Sequence, residues 1–267
     1  MNAPFKYVKY VALGFLATAA FITESCQKKD AEPTTVSEPI TEAVRAQIKA
    51  LGYSSLDARR TEGGYVVEND IFVSSADLTI APNILTMRVG DEEQYRTNNL
   101  VGGLPRQITI SMDVANFPAS YQKGLDEAVR RFNERNLRVS FRRVSSGGAI
   151  KVLKWSEGGA IAGFPSGGNP FPTIKVDPAS LGNINSVNYA ATILSHEMGH
   201  CIGFRHTDYA TRQSCGTGSG ESAGAAGAVY IPGTSTGFEA KSWMLACQDG
   251  GDRPFTANDV KALLYVY

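Results

Sequence analysis

The stretch His196-Glu197-Met198-Gly199-His200-Cys201-Ile202-Gly203-Phe204-Arg205-His206 contains all three histidines of this 267-residue chain. Residues four apart on an α-helix point the same way, so His196 and His200 can present two ring nitrogens to one metal ion. Glu197 is displaced by one residue from these ligands, which lets its carboxylate approach a water on the metal without becoming a ligand. The pattern therefore predicts a catalytic metal site on a helix.

The end of the same stretch predicts a third ligand. Gly203 tolerates a positive φ, so the helix can end there and the chain can turn back, which would carry His206 to the same metal. Three neutral nitrogens and one open position describe a catalytic zinc, whereas four protein ligands close a structural zinc site. A bare HExxH pattern often arises by chance, but the added glycine and third histidine favour a zinc site.

The motif HExxHxxGxxH resembles that of the metzincin zinc metalloendopeptidases. The form HEMGH, with Ile-Pro-Gly-Thr at 231–234, resembles the bacterial HEIGH-type metallopeptidases, with Met198 in place of isoleucine. Metzincins carry a methionine turn beneath the metal, and Met244 has the corresponding place in the chain; an ordinary core methionine is the alternative. The resemblance implies one catalytic Zn²⁺, Glu197 as catalytic residue, and hydrolysis of peptide bonds in a protein or peptide substrate.

Two other functions stay open at this stage. One is a surface lipoprotein that binds a protein or glycan on a metzincin scaffold, against which the intact Glu197 argues. The other is a zinc hydrolase of a non-peptide substrate, which the motif alone does not decide. Calcium is also open, because Asp249-Gly250-Gly251-Asp252 is too short to predict a site. A formal net charge of zero predicts no nucleic-acid partner, and we expect a monomer.

Residues 1–26 are predicted to be a signal peptide. Lysines at 6 and 9 precede an apolar run at 11–22, which is too short to span a bilayer comfortably. Cys26 follows and resembles the lipidation site of bacterial lipoproteins, and the polar residues 27–38 are typical of a tether. We expect an exported bacterial lipoprotein at the outer membrane or cell surface, held to the membrane by lipid alone. Plain secretion is the alternative.

Residues 39–100 are predicted to be a small prosegment-like region. Its apolar periodicity predicts a helix from Pro39 to Gly52, and residues 65–73 have the pattern of a single strand. Within that run, Val67-Glu68-Asn69-Asp70 resembles the astacin prosegment motif, although Asn69 stands where astacins have glycine. The resemblance implies that Asp70 occupies the open coordination position of the zinc in a latent state. An acidic turn at a strand end is the alternative.

Residues 101–267 are predicted to form the catalytic domain. The order of strands and helices gives an α/β fold, metzincin-like, with a twisted mixed sheet, the zinc-binding helix, the methionine turn and a C-terminal helix. The glycine-rich residues 158–165 resemble the rim strand that pairs with substrate. The segment between His206 and Met244 has no charged anchor that can be named. The predicted strands span 107–114, 137–144, 149–155 and 173–177. One predicted helix runs from Pro118 to Asn136, and the zinc helix begins at about Ser186. The C-terminal helix begins at Thr256, a predicted N-cap with Asp259 in the capping-box position.

Three cysteines remain once Cys26 is set aside, an odd number for an oxidising compartment. One disulfide and one free thiol are the simplest outcome. We favour a bond between Cys215 and Cys247, because both flank the loop that surrounds the methionine turn. Cys201 on the zinc helix would then be buried and reduced, although the sequence alone leaves the pairing open.

Overall fold

The computed structural model describes residues 39–79, 94–216, 220–221 and 226–267, all within one compact unit, Ser37–Tyr267. The signal peptide, Cys26 and the tether lie outside the described residues. No helix within the described ranges combines the length and hydropathy that a membrane span requires. The helices are α1 Glu42–Ala50, α2 Ala119–Asn133, α3 Val187–Ile202 and α4 Ala257–Val266. The strands are β1 Arg59–Thr61, β2 Gly64–Val67, β3 Ile71–Ser74, β4 Tyr95–Arg96, β5 Arg106–Met112, β6 Val139–Val144, β7 Ile150–Lys154, β8 Ala160–Ile161, β9 Thr173–Val176 and β10 Val229–Tyr230.

A five-stranded mixed sheet forms the frame of the catalytic part, in the order β6-β5-β7-β9-β8. Four strands are parallel, and the edge strand β8 runs antiparallel to β9. The interior strand β5 buries Ile108 and Ile110 completely, as its alternating sequence predicts. The predicted α/β class with a mixed sheet is thus confirmed.

Helices α2 and α3 pack closely against each other beside this sheet. A Cβ on Gly124 would lie 2.7 Å from the Cβ of Ala190, so the missing side chain allows the close approach. Leu125 and Phe132 on α2 are fully buried. The predicted end of α2 at Asn136 is wrong: the helix ends at Asn133, because Asn136 adopts a left-handed φ of 54° and turns the chain into β6.

Residues 39–79 of the predicted prosegment-like region form α1 and a three-stranded sheet, β1-β2-β3, whereas β4 near the end of that region pairs with β10. The expectation of one strand over residues 65–73 is wrong, because the run folds back as the hairpin β2-β3. Glu68 and Asn69 have φ values of 53° and 75°, and this left-handed turn projects Asp70 from the end of the hairpin. Asparagine tolerates this conformation better than most residues, which accounts for its use where a glycine was expected.

The predicted rim strand at 158–165 is shorter in the structure, where β8 contains only Ala160 and Ile161. Gly158 and Gly159 precede it with φ values of 88° and 73°, conformations that favour a turn over a strand. Beyond β8, Ala162 pairs in parallel with Ile71 of the prosegment. The hairpin β2-β3 therefore meets the free edge of the five-stranded sheet at this bridge.

The C-terminal helix α4 has the predicted N-terminus. The Thr256 side chain accepts from the Asp259 backbone at 3.2 Å, and the Asp259 carboxylate accepts from the Thr256 backbone at 2.8 Å. This reciprocal pair satisfies backbone donors that a helix leaves free at its first turn. At the other end, the Tyr267 hydroxyl donates to the Ile202 carbonyl, which joins α4 to the end of α3.

Candidate metal centre

The local sequence of α3 sets both ends of the helix that carries the HExxH motif. The Ser186 side chain accepts from the Tyr189 backbone at 3.1 Å and caps the N-terminus. Gly203 ends the helix with φ of 108°, and a Cβ there would lie 2.7 Å from the Asn99 carbonyl oxygen. Glycine thus allows both the backbone conformation and the close approach, and the turn delivers His206 back towards the helix.

The Nε2 atoms of His196, His200 and His206 converge on one point together with a carboxylate oxygen of Asp70. The distances are 3.1 Å from His196 Nε2 to His200 Nε2, and 3.2 and 3.0 Å from Asp70 Oδ2 to His196 Nε2 and His206 Nε2. The fourth, from Asp70 Oδ2 to His200 Nε2, is 4.0 Å. Tetrahedral zinc ligands at about 2.0–2.1 Å are about 3.3 Å apart, so the four atoms fit a zinc ion.

Each histidine makes a hydrogen bond through the ring nitrogen that faces away from this point. His196 Nδ1 donates to the Trp243 carbonyl at 3.0 Å, and His200 Nδ1 donates to the Phe204 carbonyl at 2.8 Å. His206 Nδ1 lies 2.7 Å from Glu221 Oε1. These partners hold each ring in the orientation that points Nε2 at the common point, which is the orientation a metal ligand needs.

Glu197 lies beside the histidines and is buried, with 2 % exposure. Its Oε2 atom has no hydrogen-bond partner among the described residues. Burial raises the pKa of this carboxyl well above its usual range, and the negative charge of Asp70 raises it further. A buried carboxylate that holds a proton readily can exchange one with a neighbouring water or amine.

Met244, the residue predicted to form the methionine turn, packs against α3 at Gly199. A Cβ on Gly199 would be 2.6 Å from Met244 Sδ and 2.6 Å from the Trp243 ring, so both side chains pack against the helix where it has no side chain. The Met244 carbonyl accepts from the Thr207 backbone at 2.8 Å. The turn thus supports both the helix and the segment that carries His206.

Asp70 reaches the histidines from the prosegment hairpin, and its side chain is only 12 % exposed. Burial alone would raise the pKa of this carboxyl, but the charge of His206 and hydrogen bonds from the histidines outweigh burial and hold the pKa well below its usual range. The residue is therefore an anion within the cluster. In the sequence, the resemblance of residues 67–70 to the astacin prosegment motif was the one feature that predicted Asp70 at the metal site.

Glu221 is a residue that the sequence analysis missed, and its presence corrects the expectation of no charged anchor in this loop. Both of its carboxylate oxygens are buried, with Oε1 on His206 and Oε2 at 3.4 Å from Arg205 Nη2. Burial would raise the pKa of Glu221, but the charges of His206 and Arg205 lower it to about 2. The sequence does carry a signal for Glu221: it is the single charged residue within 216–227, a stretch of small residues.

The predicted disulfide between Cys215 and Cys247 is present, with a Cα–Cα distance of 5.2 Å. Cys201 is free and buried, as expected. Burial raises the pKa of the Cys201 thiol, and the charge of Glu197 raises it further, so the group is a neutral part of the core.

A helix with two histidines four residues apart, an intervening glutamate and a third histidine after a glycine turn defines a metallopeptidase of the HExxH class. The chain belongs to the dual-action HEIGH metallo-peptidase family, whose sequence profile matches residues 65–267. It is a zinc metalloendopeptidase that acts on protein or peptide substrates. Among curated proteins, none matches.

Several solved structures are similar in part. A crystal structure of myroilysin has a TM-score of 0.42 and 16% identity, and covers 64% of this chain and 86% of that chain. A hatching enzyme zinc-protease, high choriolytic enzyme 1 from the medaka fish Oryzias latipes, has a TM-score of 0.28 and 17% identity over 47% of this chain and 55% of that chain.

Proposed function

We propose that this peptidase cleaves peptide bonds with zinc held by His196, His200 and His206 and with Glu197 as general base. The observation that carries the proposal is the convergence of three Nε2 atoms whose opposite ring nitrogens are already hydrogen-bonded. Zinc, when bound, polarises the scissile carbonyl and lowers the pKa of a bound water to about 7.

The residues of the chain supply the proton transfers. Glu197 accepts the proton of the attacking water, and its buried Oε2 has the capacity to take it. The same carboxyl then donates that proton to the leaving amine. One carboxyl can fill both roles because it keeps the proton between the attack of water and the departure of the amine.

We propose further that the prosegment hairpin keeps the enzyme latent. Asp70 lies at the position of a fourth ligand, and backbone bonds hold the hairpin against the sheet edge: Phe72 N donates to Ala162 O at 2.7 Å, and Ala162 N donates to Asp70 O at 3.0 Å. An extended substrate would need this same edge, because strand addition requires free backbone groups. Replacing Asp70 should raise activity, and unchanged activity would contradict latency.

Contacts on both sides of the hairpin turn support this arrangement. Arg205 Nη2 donates to Glu68 Oε2 at 3.0 Å, and both groups are buried. The Asn69 amide, oriented with its nitrogen towards Asp57, donates to Asp57 Oδ2 at 3.0 Å and accepts from Arg212 Nη2 at 2.6 Å. The hairpin turn is thus held by two arginines from the catalytic part.

The peptidase mechanism is tested with Asp70→Ala chains that either retain Glu197 or carry Glu197→Gln. Elemental analysis gives the zinc content, and cleavage of a mixed peptide library gives activity. We expect one zinc in both chains and a rate about 10²- to 10⁴-fold lower in the glutamine variant, since the amide cannot accept the proton. A folded chain without zinc, or equal rates in both chains, would contradict the proposal.

We also propose that the chain is exported and anchored by lipid at Cys26. The charged and apolar pattern of residues 1–22 supports export. The disulfide between Cys215 and Cys247 also fits an oxidising compartment. Mass spectrometry of the mature N-terminal peptide should find an acylated cysteine in the membrane fraction, and Cys26→Ala should release the protein. An unmodified cleaved leader would instead support secretion.

A further inference from the structure

We propose that Glu221 is a positioning residue for the zinc site. Its carboxylate orients His206, and Arg205 balances the negative charge of that carboxylate. This inference rests on the zinc site of the proposed function and adds a support from outside the HExxHxxGxxH motif. Its basis is the 2.7 Å contact between Glu221 Oε1 and His206 Nδ1.

His206 depends on such a support more than the other two histidines do. His196 and His200 are held by the backbone of α3, and their Nδ1 atoms bond to backbone carbonyls. His206 lies after the glycine turn, outside the helix, and the partner of its Nδ1 is a side chain. A carboxylate at this place fixes the ring plane, keeps the proton on Nδ1 and leaves Nε2 for the metal.

The backbone holds Glu221 in place. Its N–H donates to the Tyr209 carbonyl at 2.7 Å, so the loop is fixed close to the segment that carries His206. The side chain is fully buried. A buried carboxylate in a fixed place is worth more for orientation than an exposed one, because it has few other conformations and no competing water.

Arg205 makes this burial possible. The guanidinium contacts Glu221 Oε2 at 3.4 Å and Glu68 Oε2 at 3.0 Å, and its Nη1 donates to the Gly227 carbonyl at 3.2 Å. The Tyr209 ring lies 4.7 Å from the guanidinium carbon. One cation thus serves two carboxylates, one from the prosegment and one from the metal site. Loss of the prosegment would leave Arg205 paired with Glu221, so the support of His206 would persist in the active enzyme.

The two carboxylates on Arg205 offer a matched test in the full chain. Both are buried and accept from the same Arg205 nitrogen, but Glu221 is the one that accepts the hydrogen bond of His206 Nδ1. All chains carry Asp70→Ala, so that the hairpin supplies no ligand in any of them. Zinc affinity is then measured by competition with a chromophoric chelator for this parent and for its Glu221→Gln, Glu221→Ala and control Glu68→Gln forms. The visible spectrum of the Co²⁺-substituted forms reports the ligand geometry independently of activity.

We expect zinc to bind about 10- to 100-fold more weakly to Glu221→Ala, with Glu221→Gln intermediate because its amide oxygen still accepts from Nδ1. The Co²⁺ spectrum should change in both, while Glu68→Gln stays within about threefold of the parent. Glu221→Gln keeps the side-chain shape, so we expect this variant to fold, and circular dichroism checks the fold of each variant before affinities are compared.

Two results would overturn the positioning role. One is parental zinc affinity and an unchanged Co²⁺ spectrum in folded Glu221 variants. The other is an equal loss in Glu68→Gln, which would assign the effect to charge balance at Arg205. A folded parent that binds no zinc would instead refute the proposed function itself, and the positioning role with it.

Discussion

Replacing Asp70 by alanine in the otherwise complete chain should release part of the latent peptidase activity. Asp70 Oδ2 lies 3.2 and 3.0 Å from two Nε2 atoms, those of His196 and His206, at the place that water must occupy during hydrolysis. Removing a hydrogen bond to a charged group costs about 1.5–3 kcal/mol. At about 1.4 kcal/mol per factor of ten, the ratio of open to closed enzyme should rise about 10- to 150-fold.

The release should remain incomplete, because other contacts hold the hairpin. The backbone bonds at Ala162 and the buried ion pair between Glu68 and Arg205 do not involve the Asp70 side chain. Substrate must still displace them to reach the sheet edge. We therefore expect the variant to gain activity but to be stimulated further when the hairpin is weakened, for example by Glu68→Gln.

The assay is the initial rate of cleavage of a fluorescence-quenched peptide at saturating zinc, with zinc content measured for every chain. Asp77→Ala is the matched control. Asp77 belongs to the same region, is exposed, and its carboxylate accepts from the backbone and the hydroxyl of Ser74 at 3.1 and 2.6 Å. A rate for Asp70→Ala within twofold of the parent at full zinc content would refute the latency argument. Equal stimulation by Asp77→Ala would do the same.

Three further outcomes concern stability. Removing zinc with a chelator should lower the unfolding free energy, and a free zinc concentration of about 1,000 times Kd should restore about 4 kcal/mol, measured as a shift in Tm. Reducing the disulfide between Cys215 and Cys247, which are 32 residues apart, should lower the free energy of unfolding by about 3–4 kcal/mol, measured with denaturant. Cys201 is buried, so its thiol should not react with a thiol reagent until the chain unfolds. Gly199→Ala should destabilise the fold by about 1–3 kcal/mol, because the added Cβ would clash with Met244. An unfolding midpoint equal to that of the parent chain would show that the methionine turn moves to make room.

The elements of the catalytic part could be predicted because their signals are local. Alternation located β5, and the predicted helix end at Gly203 and N-cap at Thr256 are both confirmed by the structure. The hairpin at Asp70 was misjudged as one strand, since apolar residues on both sides of the turn continue a strand-like pattern. The strand pattern is interrupted only at Glu68 and Asn69, which adopt left-handed backbone conformations. Polar side chains are common in strands and in turns, so they do not by themselves predict that conformation.

The sequence by itself determined the arrangement of His196, Glu197 and His200, because helical periodicity relates residues four apart without help from the rest of the chain. The glycine turn that brings His206 back is similarly local. Only the tertiary structure decided what surrounds the site. Asp70 meets a histidine 126 positions away, and Arg205 joins a glutamate 137 positions away. Such pairs form when separate segments fold together, and no local pattern encodes which segments will meet.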